Sequence, residues 1–144
     1  MYAPHMLGIF EPRRKNMNDT GEKALSWPDG PPQTDDEFID NAINDVWRER
    51  VRQDEKWGTG RIHPNGTGPG RLKRRVDRAI IARNVCDASF AGGTGTWRHI
   101  LDEEVCEAFA EEDPEALREE LVQVAAVAVA WIESLDRQKV GGVE

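Results

Sequence analysis

The feature that most restricts the fold of this chain is a nearly apolar run late in the sequence, from Leu121 to Ile132, in which Gln123 is the polar exception. A helix that crosses a bilayer needs about 20 apolar residues, so this run is too short to span one. The apolar residues around it, from Leu117 to Trp131, recur with the 3.6-residue period of a helix. The run therefore predicts a central helix that is buried by neighbouring helices.

The sequence before this run contains start signals for three helices. Thr34 and Glu37 fit a capping box, Thr96 fits an N-cap, and Asp113 followed by Pro114 fits an N-cap with proline in the first turn. No segment alternates as a surface strand does. The sequence predicts an all-α fold, a four-to-five-helix bundle. The predicted helices cover residues 35–57, 71–89, 97–112 and 114–138.

The other segments are interpreted as arms and loops. Residues 1–33 are rich in Pro, Gly, Asn and charge, and we predict a flexible N-terminal arm there, followed by a helical domain at 34–138 and a tail at 139–144. Residues 58–70 contain five glycines and two prolines, which exclude a regular element. A loop of this length within a small domain is typically functional or disordered.

Composition narrows the classes of function. The chain has 144 residues, 32% of them charged, and a net charge of −8, which argues against wrapping nucleic acid. Its two cysteines, Cys86 and Cys106, lie within predicted helices and lack the spacing of metal ligands. With no signal peptide in the sequence, these features predict a cytoplasmic protein without a membrane partner.

Three glutamates fall on the apolar sides of two predicted helices. With Leu101 as the origin, Glu104 lies near 300° within the apolar arc, and Glu107 lies near 240° at its edge. On the next helix, with Leu117 as the origin, Glu120 also lies near 300° within that arc. A carboxylate on the core side of a helix is costly unless something compensates it. Two such helices facing each other would provide oxygen ligands for a hard cation.

The same residues resemble a known family. The segment 103–107, EEVCE, resembles the EExxE motif of MazG-like all-α nucleoside triphosphate pyrophosphohydrolases. After twelve intervening residues, the segment 120–123, ELVQ, resembles the second motif, ExxD, with Gln123 in place of the aspartate. The likeness covers about residues 36–137, and local stretches resemble small MazG-like proteins of actinobacteria and their phages.

The resemblance implies a bundle of the all-α pyrophosphohydrolase type. It also implies Mg²⁺-dependent, or Mn²⁺-dependent, cleavage of a nucleoside triphosphate or related nucleotide to the monophosphate and pyrophosphate. Glu104, Glu107, Glu120 and Gln123 are the expected metal ligands. Glu103 is expected to be an outer-shell base or a solvated side chain, and the alternative for Gln123 is a hydrogen-bonded core amide. An amide at position 123 can still coordinate a metal, but it brings no charge. A protein that binds nucleotides without hydrolysing them, as a sensor or a sponge, is therefore the alternative.

Candidate substrate-binding residues lie outside the acidic motifs. Lys56 and Arg78 could meet phosphates, and the glycine loop that carries His63 could close over them. Trp57 and Trp97 could stack on a base. Each has a structural alternative: a solvated basic face for Arg78 and the other basic residues of the segment 71–78, a packing anchor for each tryptophan and an ordinary loop position for the histidine.

Interactions with other chains are also predicted. So apolar a fourth helix favours pairing between copies of the chain, as a homodimer or a homotetramer. Trp47 and Trp131 lie on apolar stripes and are assigned to the core. A helical interaction module that touches nucleic acid through residues 71–78 is a further alternative, and the net charge and the inward-facing carboxylates count against it.

Overall fold

A computed structural model describes residues 32, 34–60, 62–67 and 72–141 of the chain. This part contains four α-helices and no strand, which confirms the predicted all-α class. The predicted arm at 1–33 lies almost wholly outside the described residues. The helices are α1, Asp35–Trp57; α2, Leu72–Ala91; α3, Trp97–Ala110; and α4, Pro114–Val140.

The predicted helix starts are confirmed by their hydrogen bonds. The Thr34 hydroxyl accepts from the Glu37 backbone N–H at 3.3 Å, and the Glu37 carboxylate accepts from the Thr34 N–H at 3.4 Å. The Asp113 carboxylate accepts from the two N–H groups that follow Pro114, at 3.1 and 2.9 Å. At Thr96 the His99 ring replaces the acidic side chain of a capping box, because its Nδ1 accepts a hydrogen bond from the Thr96 backbone N–H at 3.2 Å.

The end of α3 falls at Ala110, two residues before the predicted end. Glu111 has an extended backbone, with φ −75° and ψ 138°. Its carboxylate accepts from the backbone N–H groups of Glu112 and Asp113 at 2.7 and 2.9 Å. These local bonds satisfy N–H groups that a continuing helix would otherwise bond, so the chain turns at once into α4.

The helices pack in the spatial order α2, α3, α4, α1, and each is antiparallel to its neighbour. Short turns join α2 to α3 and α3 to α4. The first helix of the chain, α1, packs against the last, α4. Arg137, near the end of α4, donates to Asp35 at 2.5 Å and lies 4.5 Å from the centre of the Phe38 ring. Within the described residues, α1 and α2 do not pack against each other.

The core of this arrangement is small. Its buried apolar side chains are Phe38, Ala42, Ala82, Cys86, Cys106, Ala108 and Leu117. No helix in the described part of the chain has the length and apolar character needed to cross a membrane.

Two predictions about burial are wrong. Trp47, assigned to the core, is 43% exposed, because α1 uses Phe38 and Ala42 against α4 and turns the rest of its apolar stripe outwards. Helix α4 is central, yet the start of its apolar run is not covered: Leu121 is 50% exposed and Val122 is 53% exposed. Trp131, the other tryptophan assigned to the core, is half-buried.

Candidate divalent-cation site

The antiparallel packing of α3 on α4 brings three glutamates together. One carboxylate oxygen from each of Glu104, Glu107 and Glu120 lies within 4.8 Å of the other two. Ligand oxygens of Mg²⁺ or Ca²⁺ lie about 2.0–2.6 Å from the ion, so oxygens on opposite sides of one ion are separated by about twice that distance. The spacing of these three oxygens is therefore compatible with a shared hard cation.

Glu104 is the least compensated member of the cluster. Its Oε2 atom is buried and has no hydrogen-bond partner. Burial raises the pKa of Glu104, and the charges of Glu107, Glu103 and Glu120 raise it further. A buried acceptor without a partner costs about 1–3 kcal/mol and is uncommon in folded proteins. The cluster thus has the negative charge of a cation site and lacks a positive group at its most buried oxygen.

Glu120 is the contribution of α4 to the cluster. Burial is the main cause that raises its pKa, followed by the charges of Glu107 and Glu111. The exposed Gln123 side chain donates its Nε2–H to Glu120 Oε2 at 3.0 Å. Gln123 therefore contacts the cluster through Glu120, as a hydrogen-bond donor.

Arg83 was missed by the sequence reasoning. It extends from α2 to α3, donates to the Glu107 carboxylate, and places its Nε 3.4 Å from Glu103 Oε1. Its positive charge lowers the pKa of Glu104, although burial and like charges outweigh it. One signal was present: Arg83 lies four residues after Ala79 and three before Cys86, at the edge of the apolar stripe of α2.

Glu103 occupies a different environment from the three clustered carboxylates. It lies between Arg83 and the buried Cys86 at the contact of α2 with α3. Burial raises the pKa of the Cys86 thiol to about 11, with a further contribution from its hydrogen bond to Glu103. Glu103 is thus a neighbour of the cluster that shares the Arg83 guanidinium with Glu107 and, unlike the clustered carboxylates, is hydrogen-bonded to the Cys86 thiol.

Trp97 begins α3 on the same side as Glu104. The two are seven residues apart, which places them within about 20° of each other around the axis and about 10 Å apart along it. Trp97 borders a groove with a volume of about 540 Å³ against the end of α4. The other residues that line this groove are Ala130, Glu133, Ser134, Arg137 and Gln138.

Three other predicted substrate-binding residues, Lys56, Trp57 and His63, lie at the end of α1 and in the segment that follows it. The Lys56 ammonium sits 5.0 Å from the centre of the Trp57 ring at the end of α1, and both side chains are exposed. His63 is exposed as well. Among the described residues, no hydrogen bond or ion pair joins Lys56 or His63 to the glutamate cluster.

Arg78 lines a second cavity, of about 520 Å³, which we call the arginine cavity. On α2, Arg78 and Arg83 are about 140° apart, with the buried residues between them. On α3, Phe109 and Glu107 are about 160° apart. The arginine cavity and the glutamate cluster therefore lie on opposite sides of the α2–α3 contact. The lining residues are Asn65, Gly66, Thr67, Arg74, Arg75, Arg78, Cys106 and Phe109.

No protein-family model, curated protein or solved structure matches this chain. The chemistry of the glutamate cluster accordingly follows from its own atoms: three carboxylates that converge, one oxygen without a partner, and a neighbouring arginine.

Proposed function

We propose that the chain is a divalent-metal-dependent hydrolase of nucleoside triphosphates, in which Glu104, Glu107 and Glu120 hold the metal ion. The observation that carries the proposal is the buried Glu104 Oε2, which has no hydrogen-bond partner and lies beside two further carboxylates. A cation with two positive charges would supply the missing partner and offset the repulsion that raises the pKa of Glu104 and Glu120.

Mg²⁺ or Mn²⁺ suits this site because all the ligand atoms on offer are oxygens. When bound, such an ion polarises a phosphoryl oxygen and lowers the pKa of a coordinated water. Gln123 keeps Glu120 in place through its hydrogen bond. Glu103, held beside the cluster by Arg83, is positioned to accept a proton from an attacking water.

A nucleoside triphosphate is the proposed substrate class because its phosphates suit a metal ion held by the glutamate cluster and its base suits the ring of Trp97. Its phosphates would repel the carboxylates alone, so they need the metal and the exposed guanidinium of Arg83, whose side chain is 60% exposed. Trp97, about 10 Å along α3, offers a ring on which a base can stack. Release of a monophosphate and pyrophosphate is the reaction that the MazG-like resemblance implies.

The test is product analysis across a panel of nucleoside triphosphates with Mg²⁺, with Mn²⁺ and in excess chelator. We expect pyrophosphate release from at least one nucleotide, only with metal, and loss of release in Glu104→Gln. Glu119→Gln, an exposed neighbour of Glu120, is the matched control and should keep the activity. Turnover that survives in chelator or in Glu104→Gln would refute the proposed metal site.

A non-hydrolysing nucleotide binder, a sensor or a sponge, is the second candidate, and Gln123 favours it. A neutral side chain stands where the family motif has an acid, and it donates a hydrogen bond to Glu120. The two candidates are separated by calorimetry combined with product analysis. Metal-dependent nucleotide binding without any product would select the binder.

We also propose that copies of the chain associate, as a homodimer or homotetramer, into a bundle of the all-α pyrophosphohydrolase type. The support is the uncovered apolar stripe of α1. Ile39, Ile43, Val46 and Trp47 are between 38% and 48% exposed. Apolar residues at this spacing are buried when another helix packs against them, and a second copy of the chain would supply one.

A further inference from the structure

The arginine cavity has no part in the hydrolysis proposed above, and its arginines lie where positive charge destabilises a helix. Arg74, Arg75 and Arg78 lie in the first two turns of α2, where the first turn contains no acidic residue. Positive charge is unfavourable at the N-terminus of a helix, whose dipole is positive there. Helix stability therefore does not explain why three guanidinium groups collect at this end.

Ion pairing does not explain the positions of Arg74 and Arg78 either. Within the described part of the chain, Arg74 and Arg78 have no ion pair, although Asp77 lies between them in the sequence. By contrast, arginines of α1 at positions 48, 50 and 52 each pair with a carboxylate within one helical turn. In a chain with a net charge of −8, Arg74 and Arg78 thus place two positive charges without an ion pair at the arginine cavity.

The shape and lining of the cavity fit a small ligand that has an anionic and an apolar part. Its volume of about 520 Å³ is within the range of small-molecule sites. Asn65 and Thr67 add hydrogen-bond donors beside the guanidinium groups, and Gly66 has a φ of 74°, a backbone conformation that glycine adopts without strain. Phe109 is 54% exposed and presents a ring at the same cavity.

We infer that the arginine cavity is a second nucleotide site, which binds phosphates through Arg74, Arg75 and Arg78 and a base against Phe109 without a metal. Guanidinium groups bind phosphate oxygens directly, and an aromatic ring stacks on a base. A free nucleotide fits better than nucleic acid, because the site is a small concavity and the chain as a whole is acidic. Since the cavity lies on the far side of the α2–α3 contact, its ligand is separate from the one at the glutamate cluster.

The test uses the full chain in excess EDTA, so that binding at the glutamate cluster is removed. Isothermal calorimetry with a panel of ribonucleoside and deoxyribonucleoside triphosphates, and with inorganic tripolyphosphate, measures the remaining affinity. The variant R74Q/R78Q should bind roughly a hundredfold more weakly, since each of its two lost charge-assisted bonds costs about tenfold or more. F109A should weaken nucleotide binding but leave tripolyphosphate binding unchanged.

Matched controls separate this site from general charge effects. R98Q/R118Q removes two exposed arginines outside the cavity and should bind as the unmodified chain does. Glu104→Gln should also keep the metal-free binding, because binding at the arginine cavity does not depend on the glutamate cluster. The inference can therefore hold even if the hydrolase proposal fails. Equal loss in R98Q/R118Q and R74Q/R78Q, no binding of any panel nucleotide in EDTA, or binding of oligonucleotides alone would each overturn the inference.

Discussion

The Glu104→Gln variant should be more stable than the unmodified chain in excess chelator and less stable than it when metal is added. In excess chelator, the unmodified chain carries a buried carboxylate oxygen without a partner beside two like charges. Glu104→Gln removes one of those charges, and its amide can donate to Glu107 or Glu120. Because a buried unsatisfied group costs about 1–3 kcal/mol and this side chain is half-buried, we expect a gain of about 1 kcal/mol.

Metal should then favour the unmodified chain. A ligand present at 100 times its dissociation constant stabilises the folded state by about 2.7 kcal/mol. For a helical domain of this size, about 1 kcal/mol corresponds to roughly 4 °C or more in melting temperature. The unmodified chain should therefore gain about 10 °C with saturating Mg²⁺ or Mn²⁺, whereas Glu104→Gln, which lacks one charged ligand, should gain little.

Thermal melts followed by circular dichroism, with EDTA and with each metal, measure both effects on the same samples. Glu119→Gln controls for loss of a glutamate on the exposed face of α4, and should behave as the unmodified chain does. A Glu104→Gln variant that is less stable in EDTA would show that its carboxylate is compensated within the fold. An equal rise with metal in both proteins would place the cation elsewhere.

Three further predictions concern single features. Gln123→Asp should tighten metal binding in calorimetry, because a charged oxygen replaces a neutral amide, and unchanged affinity relative to Gln123→Asn would remove position 123 from the site. Burial raises the pKa of Cys86 from 9.0 to about 11, so the folded state keeps a proton that the unfolded state loses; stability should fall as pH rises from 9 to 11. Urea unfolding of Cys86→Ala should show a smaller fall, and an identical fall would assign the effect to other groups. Ile43→Glu and Trp47→Glu should shift sedimenting oligomers towards monomer, while Ile62→Glu, at a position 95% exposed, should not; a chain that sediments as a monomer from the start would refute self-association.

Local chemistry in the sequence determined the helix starts. The bonds of Thr34 with Glu37, and of Asp113 with the first turn of α4, join residues within three positions of each other. Such bonds need no tertiary partner, so composition and spacing were sufficient to predict them. The end of α3 was less predictable, because the Glu111 carboxylate competes there with the helix for the same backbone groups.

The convergence of the acidic residues could be predicted in part from the sequence. Periodicity placed Glu104 and Glu107 on one side of a helix and Glu120 on the core side of the next. The turn between α3 and α4 is too short to allow anything but an antiparallel neighbour, and this brings the two helices face to face. The sequence could not predict that Glu104 Oε2 lacks a hydrogen-bond partner, because this depends on which side chains of other helices reach that atom.

Tertiary structure alone decided which residues of distant segments meet. Arg83 reaches Glu107 across 24 positions; the sequence places Arg83 at the edge of the apolar stripe of α2 but does not indicate its partner. Trp47 lies on a helical stripe that predicts burial, yet α1 has a single neighbour among the described helices and leaves the ring exposed. Periodicity specifies which side of a helix is apolar, whereas the packing of the other helices determines whether that side is covered and which charges it meets.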